Sequence, residues 1–360
     1  MAGVLSGTRP MRLARFLGAP IYITWSWLLF VAIIVPLYTR RLESWFGTGQ
    51  AIALSLALAL MWGLSVLLHE LGHVAAARAN GCRVERVEIG FLGGATTVVG
   101  EDDSPGREFA IAAAGPAVSL ALGVPGGIGM LTGNGTNLGF SGVPGLFISA
   151  ITLANLAIAA FNLLPGLPLD GGRVAVAILW RVTGNRQRAT VIASYVGQLI
   201  AAAVAVYAVS RVIGAAQPAR EIPWVLALAV MSASLWSMAH RAREVAVREG
   251  ELAGSPLADH LTPVDVLDGS WPASALHDAA TPLVLVRSPD GLAYADRTVA
   301  TATRVIDAAR PLAAHRILPE SASRLDLLNA IRSHDDPWYV VVAADGTPLG
   351  IVGASALADR

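Results

Sequence analysis

Long apolar runs separated by short polar breaks fill the first two thirds of the chain, and the pattern then changes character. Six windows, 21–38, 51–79, 108–132, 143–164, 189–214 and 222–240, approach the roughly 20 apolar residues that a helix needs to cross about 30 Å of hydrocarbon. From residue 250 onward charged and apolar residues mix as in a water-soluble domain, with short β-prone runs. The pattern predicts a multi-pass α-helical membrane protein, with about six transmembrane helices in residues 1–245 and a small α/β tail over 251–360. The first window follows Arg9, Arg12 and Arg15, as a signal peptide would. It ends Val35-Pro36-Leu37-Tyr38-Thr39-Arg40 with no small-residue cleavage site, so it is expected to be a retained span.

Six spans put both ends of the bundle on one side. The N-terminal arm, the loop with Arg83, Arg86 and Arg107, the turn with Arg181, Arg186 and Arg188, and the exit with Arg241, Arg243 and Arg248 share one face. The opposite loops carry mainly Arg40, Arg41 and Arg220. The positive-inside rule then places both termini and the tail in the cytoplasm of a cell-membrane protein. Trp45 and Trp224 fall at the external ends, where interfacial aromatic residues sit. Within the polar loop 80–107, Val84-Glu85-Arg86-Val87-Glu88-Ile89 alternates apolar and charged residues before Gly93-Gly94 and a second β-prone run, Ala95 to Val99. A hairpin against the membrane face is expected, either as a structural cover or as a strand edge on which an extended substrate pairs.

Composition narrows the chemistry. Of 360 residues 54% are hydrophobic and 14% charged, which excludes a soluble cytosolic globule. Net charge is zero with no basic stripe, so nucleic acid is not an expected partner. The single cysteine, Cys82, can form neither an internal disulfide nor a Cys-based zinc cluster, so a metal here would be held by His and carboxylates.

Within 51–77 the ionisable side chains are His69, Glu70 and His73, in Leu67-Leu68-His69-Glu70-Leu71-Gly72-His73. Charged groups inside a span are costly and mark function by default. On a helix, positions four apart lie about 40° apart around the axis and about 6 Å along it, so both imidazoles can reach one cation, with Glu70 beside it. Zinc on nitrogen ligands lowers the pKa of its water to about 7, and an adjacent carboxylate can take that proton as general base. A chance HExxH is expected at roughly 0.004 per chain of this composition; the alternative, a polar cluster that packs helices, would bury three polar groups without a metal.

A catalytic zinc takes three protein ligands, so two His leave one to find. Asn162-Leu163-Leu164-Pro165-Gly166-Leu167-Pro168-Leu169-Asp170-Gly171-Gly172 ends the fourth window, and its two prolines and three glycines cannot continue a helix. Irregular backbone at membrane depth must be buried in protein or line a wet cavity. Asp170 is the sole carboxylate there and the candidate third ligand, against the alternative of a solvated turn Asp. Asn162 can donate its amide hydrogens to an oxyanion, or merely bond between helices.

Together, the embedded HExxH, the hairpin with Gly93-Gly94, Ala114-Gly115-Pro116 opening the third span and the stretch from Asn162 to Gly172 resemble the site-2 proteases, a family of intramembrane zinc metalloproteases. The resemblance covers roughly residues 15–240. Other membrane HExxH proteases draw a third ligand from a later Glu, and past Glu70 no Glu lies in the interior of a window here, Glu108 being the first residue of the third. The resemblance implies cleavage of a single-span membrane protein, such as an anti-sigma factor, within or near the bilayer, in regulated intramembrane proteolysis. It also implies one Zn2+ on His69, His73 and Asp170, with Glu70 as base and Asn162 at the oxyanion. The chain departs from the pattern at Ser119, where many relatives carry Asn; Ser can still hydrogen-bond between helices.

The tail contains a repeat: Leu283-Val284-Leu285-Val286 leading to Asp290-Gly291, and Tyr339-Val340-Val341-Val342 leading to Asp345-Gly346. With a helix over 321–333, this resembles a pair of cystathionine-β-synthase (CBS) domains. That family often ends its second strand in Gly, two apolar residues and Thr, with an Asp three residues on that holds a ribose. Here Gly350-Ile351-Val352-Gly353-Ala354-Ser355-Ala356 lacks both polar positions, which argues against nucleotide binding and for a gating module or a homodimer contact. His240, His260, His277, His315 and His334 show no ligand spacing and are expected at the surface or in packing. Two other functions fit parts of the pattern. A catalytically silent scaffold or sensor acting through its tail has no need of Glu70, and a transporter with a broken fourth helix leaves the HExxH spacing unexplained.

Overall fold

The computed structural model describes residues 10–90, 93–99, 104–132, 142–213, 218–289, 291–296 and 303–357. The chain divides into two compact units, residues 1–246 and 247–360. The first unit contains strands β1 (Met11–Phe16) and β2 (Ala19–Ile23), helices α1 (Trp25–Leu42) and α2 (Thr48–Ala79), and strands β3 (Arg83–Gly90) and β4 (Gly93–Val99). Helices α3 (Pro105–Leu131), α4 (Gly142–Asn162), α5 (Asp170–Thr183), α6 (Arg186–Ile213) and α7 (Pro218–Ala253) follow. Among the described residues six helices are long and apolar enough to cross a membrane: α1, α2, α3, α4, α6 and Glu221–Ala253 of α7. The protein is a multi-pass membrane protein.

The bundle is patterned for lipid. On α2, Leu56, Leu60 and Leu64 are exposed along one stripe, whereas Ser55, Ser65, His69 and His73 are buried on the inner side. Ser119 of α3, Thr152 and Asn155 of α4, Ser194 of α6 and Ser232 of α7 are buried as well. Small polar residues suit helix contacts in hydrocarbon, where close backbone approach and internal hydrogen bonds replace the drive to escape water. Asn155 Nδ2 donates to Ser65 Oγ at 3.0 Å, tying α4 to α2 one turn before His69. Ser232 Oγ donates to the Ala201 carbonyl at 2.7 Å, tying α7 to α6.

The expected hairpin forms, with β3 and β4 antiparallel and Ile89 opposite Gly94. Its setting is larger than the alternation predicted. Residues 11–23, the Arg-bearing arm and the start of the first hydropathy window, are strands, and the sheet order is β1-β2-β3-β4. Val84, Val87 and Ile89 of β3 are buried in a core that also holds Ile21, Trp27, Val66 and Val74. The first span therefore starts at Trp25, where Thr24 ends the sheet by donating its N–H to the Ile89 carbonyl at 2.9 Å.

The third helix begins at Pro105, capped by Ser104. Ala114-Gly115-Pro116 thus lies inside α3 and does not open it. Between α4 and α5 the chain is irregular from Leu163 to Leu169, as the prolines and glycines require. Its N–H groups at Leu164 and Leu169 close local turns onto the Phe161 and Gly166 carbonyls, Leu167 N–H donates to the Ala193 carbonyl of α6 at 3.0 Å, and Gly197 is so close to the Leu167 carbonyl that a Cβ there would overlap it. Gly171 and Gly172 fold back onto the Leu163–Leu167 backbone with the same tightness. The following helix, α5, has no counterpart in the hydropathy windows, being 14 residues long and opening on Asp-Gly-Gly.

The second unit holds β5 (Asp265–Asp268), β6 (Leu283–Ser288), β7 (Gly291–Asp296), α8 (Val305–Ala308), β8 (Arg310–Pro311), β9 (Ile317–Pro319), α9 (Arg324–His334), β10 (Trp338–Val342) and β11 (Pro348–Gly353). The sequence repeat is a structural repeat. β5 pairs parallel with β6, which pairs antiparallel with β7; β9, β10 and β11 repeat the arrangement. Period-two alternation gives each central strand two buried faces. Val284 and Val286 pack with Leu276 and Val305, Tyr339 and Val341 with Leu257 and Leu327, and Leu285 meets Val340 in a core shared by both repeats. His315 and His334, which the sequence leaves scattered, stack at 4.1 Å, with His315 Nε2 2.8 Å from Asp336 Oδ2.

The seat of the irregular segment on α6 predicts that Gly197→Ala is destabilising. The added methyl must displace the Leu167 carbonyl, and overpacking of this kind costs about 1–3 kcal/mol. Thermal unfolding of the detergent-solubilised variant should show a transition several degrees below wild type. An unchanged transition would show that Leu167 is not seated there.

Candidate metal centre

Helical spacing places His69 and His73 on one side of α2, and Gly72 lets α3 approach that side: a Cβ at Gly72 would lie 2.8 Å from the Ala114 carbonyl. Gly115 completes the approach, since a Cβ there would come 2.6 Å from His69 Nε2 and overlap His73 Nε2. The two rings meet edge to face at 5.0 Å. Each is oriented through its other nitrogen: His69 Nδ1 lies 2.9 Å from Ser119 Oγ, and His73 Nδ1 lies 2.8 Å from the Ile111 carbonyl. Both partners belong to α3. Such contacts select the tautomer that points Nε2 at a ligand.

Asp170 arrives from the other end of the domain. As the first residue of α5 it emerges from the irregular segment, and its Oδ2 lies 2.9 Å from His69 Nε2 and 3.3 Å from His73 Nε2. Its side chain is 14% exposed, which is not the solvated turn Asp of the alternative reading. Glu70 is buried beside these groups, and the ligand atoms of His69, Glu70 and His73 all lie within 4.8 Å of one another. Thr96 Oγ1 donates to Glu70 Oε2 at 2.6 Å. Asn162, the last residue of α4, is half-buried, and its amide forms no hydrogen bond with another described residue.

This donor set suits zinc. Two imidazole nitrogens and one carboxylate oxygen are borderline ligands of the kind catalytic zinc sites use, with a fourth position left open. Bonds of about 2.0–2.1 Å in a tetrahedron put ligand atoms about 3.3 Å apart, close to the 2.9 and 3.3 Å found here. Gly115 leaves free the space against both Nε2 atoms.

The model of "Peptidase family M50" matches residues 57–141 and 124–204, which contain every residue of this site. The membrane unit is thus similar to peptidase family M50 over residues 57–204. The protein named "Putative zinc metalloprotease sll0528", from Synechocystis sp., is 39% identical over 191 residues, covering 52% of this chain and 49% of that protein. The chain spans about half the length of the curated relatives it matches. Among solved structures, "Site-2 Protease from Methanocaldococcus jannaschii" is 25% identical with a TM-score of 0.47, covering 65% of this chain and 95% of that chain. The CBS domain of a bacterial CNNM/CorC family Mg2+ transporter is 18% identical with a TM-score of 0.26, covering 38% of this chain and 92% of that one.

The membrane unit thus brings together His69, Glu70, His73 and Asp170, the four residues singled out by spacing and backbone irregularity. Sequence reasoning missed the residues that orient them. Ser119 counted only as a packing residue, Thr96 only as part of a β-prone run, and the Ile111 carbonyl carries no side-chain signal. The motif spacing Gly115 to Ser119 is helical and could have pointed to a shared face with the histidines. Ser119→Ala removes the partner of His69 Nδ1 and should weaken zinc affinity about 10–100-fold. Competition with a zinc chelator measures this, and wild-type affinity would show that Ser119 does not orient the ligand.

Proposed function

We propose that the protein is an intramembrane zinc metalloprotease that hydrolyses a peptide bond in or near the transmembrane segment of a single-span membrane protein. The observation that carries this reading is the convergence of His69, His73 and Asp170, from helices far apart in sequence, beside a buried Glu70 inside a span. His69 Nε2, His73 Nε2 and an Asp170 oxygen would hold the metal. When bound, zinc supplies a Lewis acid that brings the pKa of water to about 7 and polarises a carbonyl. Glu70 takes the proton of the attacking water and returns it to the leaving amine as the C–N bond breaks. The Asn162 amide, unengaged by other described residues, donates to the oxyanion. His73 lies six residues before the end of α2 at Ala79, about 9 Å along the axis, so the scissile bond would lie below the membrane surface.

A helical substrate hides its carbonyls in its own hydrogen bonds and must unwind to be cut. The sheet order leaves β4 at an edge, and β4 touches Glu70 through Thr96. An unwound substrate segment could pair along that edge as an added strand. The family resemblance suggests membrane-anchored regulators such as anti-sigma factors, cut in regulated intramembrane proteolysis, and arginine placement supports cytoplasmic termini. The second unit, with Gly353 and Ala356 at the positions that would hold a nucleotide in CBS domains, is read as a gating module or homodimer contact. The silent-scaffold reading gives no role to a carboxylate held as firmly as that of Glu70.

Role assignments separate cleanly in two variants. Glu70→Gln should keep about one zinc per chain and lose cleavage by at least about 100-fold, whereas Asp170→Ala should lose zinc and cleavage together. Elemental mass spectrometry of detergent-purified protein, beside cleavage of a reconstituted single-span substrate, reads both. Full activity of either variant would overturn the mechanism. A zinc-free wild type prepared without chelator would favour the scaffold. Removal of metal with a chelator should abolish cleavage, and added Zn2+ should restore it.

A further inference from the structure

His69 and His73 are each oriented by α3, yet among the described residues the side-chain partner of Glu70 lies on β4, not on α3. Its carboxylate is addressed from the other side of α2, by β4. Period-two alternation puts Gly94, Thr96 and Val98 on one face of that strand. Val98 packs into the core that holds Val66 and Val74 of α2. Gly94 lies where any Cβ would collide with the Glu70 side chain, 2.5 Å from Oε1. Thr96, two residues on, donates its hydroxyl hydrogen to Glu70 Oε2 at 2.6 Å, within the range of about 2.5–2.7 Å of a charge-assisted O–H···O⁻ bond. A buried carboxylate on a flexible two-carbon stem would otherwise have several rotamers open to it.

We propose that Thr96 is a positioning residue for the general base: its hydroxyl fixes the carboxylate plane of Glu70 and leaves the second oxygen to receive the proton of the attacking water. This inference rests on the protease reading. In the step itself an O–H bond of water breaks, its proton passes to Glu70, and the water oxygen bonds to the substrate carbonyl carbon. The same proton then goes to the amine nitrogen as the C–N bond breaks. Thr96 donates throughout and exchanges no proton. Because the hydroxyl belongs to β4, the orientation of the base depends on the seating of this strand.

The test compares wild type, Thr96→Val, Thr96→Ala, Thr96→Ser and Glu70→Gln as full-length protein in detergent. Thr96→Val and Thr96→Ala, which remove the same donor with different bulk, should keep about one zinc per chain, lower kcat about 10–100-fold and leave KM within about twofold. Thr96→Ser should recover kcat to within about threefold of wild type, which a loss of packing alone would not predict. Acetohydroxamate binding gives a readout independent of turnover. Thr96→Val and Glu70→Gln should each weaken it, and the double variant should be no weaker than Glu70→Gln alone. Wild-type kcat in Thr96→Val beside an inactive Glu70→Gln, a change in KM alone, or multiplying effects on hydroxamate binding would overturn the proposal. A wild type that neither holds zinc nor cleaves would overturn the protease reading and this inference with it.

Discussion

A bilayer offers no water to satisfy a polar group, and the whole architecture of the first unit answers that constraint. His69, Glu70 and His73 are buried on a helix long and apolar enough to cross a membrane, and Asp170 joins them there, so each must find partners within the protein. His69 and His73 find theirs on α3, Glu70 on β4, and Asp170 on the two histidines. These contacts require backbones to come closer than ordinary side chains allow. Glycine at positions 72, 94 and 115 supplies that closeness, and at each a single methyl group would push one wall of the site away from α2. Closeness and polarity are thus one requirement: the glycines exist for the polar groups, and the polar groups are tolerable because of the glycines.

The same logic explains how a ligand from the far end of the domain is delivered. Between α4 and α5 the chain abandons helical hydrogen bonding, which in lipid would cost several kcal/mol for each orphaned group. The Leu163–Leu169 segment escapes that cost through local turns and by lying on α6, where Gly197 admits the Leu167 carbonyl and the Ala193 carbonyl accepts the Leu167 N–H. Gly171 and Gly172 then turn α5 back so tightly that Asp170 faces the histidines. The break gives up helix continuity and gains a carboxylate placed by backbone, with no long side chain whose rotamers must be frozen.

How much of this was legible depended on how local each signal was. HExxH is visible because positions four apart share a helix face, and Asp170 because prolines and glycines at membrane depth demand a reason. Ser119 and Thr96 were invisible because their partners lie 50 and 26 residues away, across a packing interface that no periodicity encodes. The N-terminal strands misled for a related reason. Ile21 and Ile23 extend the apolar run of α1 without a break, so hydropathy begins the first span inside β2. In α5, Asp-Gly-Gly carries a turn signature, yet the glycines there serve close packing at a helix start. The tail was the clearest case, since two unbroken apolar runs repeated with matching turns mark strands buried on both faces.

The sheet reaches the candidate site as directly as the helices do, through the Thr96 hydroxyl on Glu70. β4, which holds the base, is hydrogen-bonded to β3, and β3 runs parallel to β2 with Ile21 opposite Val87. From β2 the chain enters α1 through Thr24, whose N–H and hydroxyl both bond to the Ile89 carbonyl at 2.9 and 3.0 Å. Trp27, one turn into α1, packs against α2 where Gly63 leaves room for its ring. The first span and the strand over Glu70 are therefore joined through the sheet, and both pack on α2, the helix that carries His69, Glu70 and His73. On the proposed mechanism the sheet and the helices must stay in register, because the base and the ligands would serve the same water. Packing of Val98 seats β4 on α2, and the Thr96 hydroxyl carries that seating to the carboxylate, so on the proposed mechanism the geometry of the base follows the position of this strand.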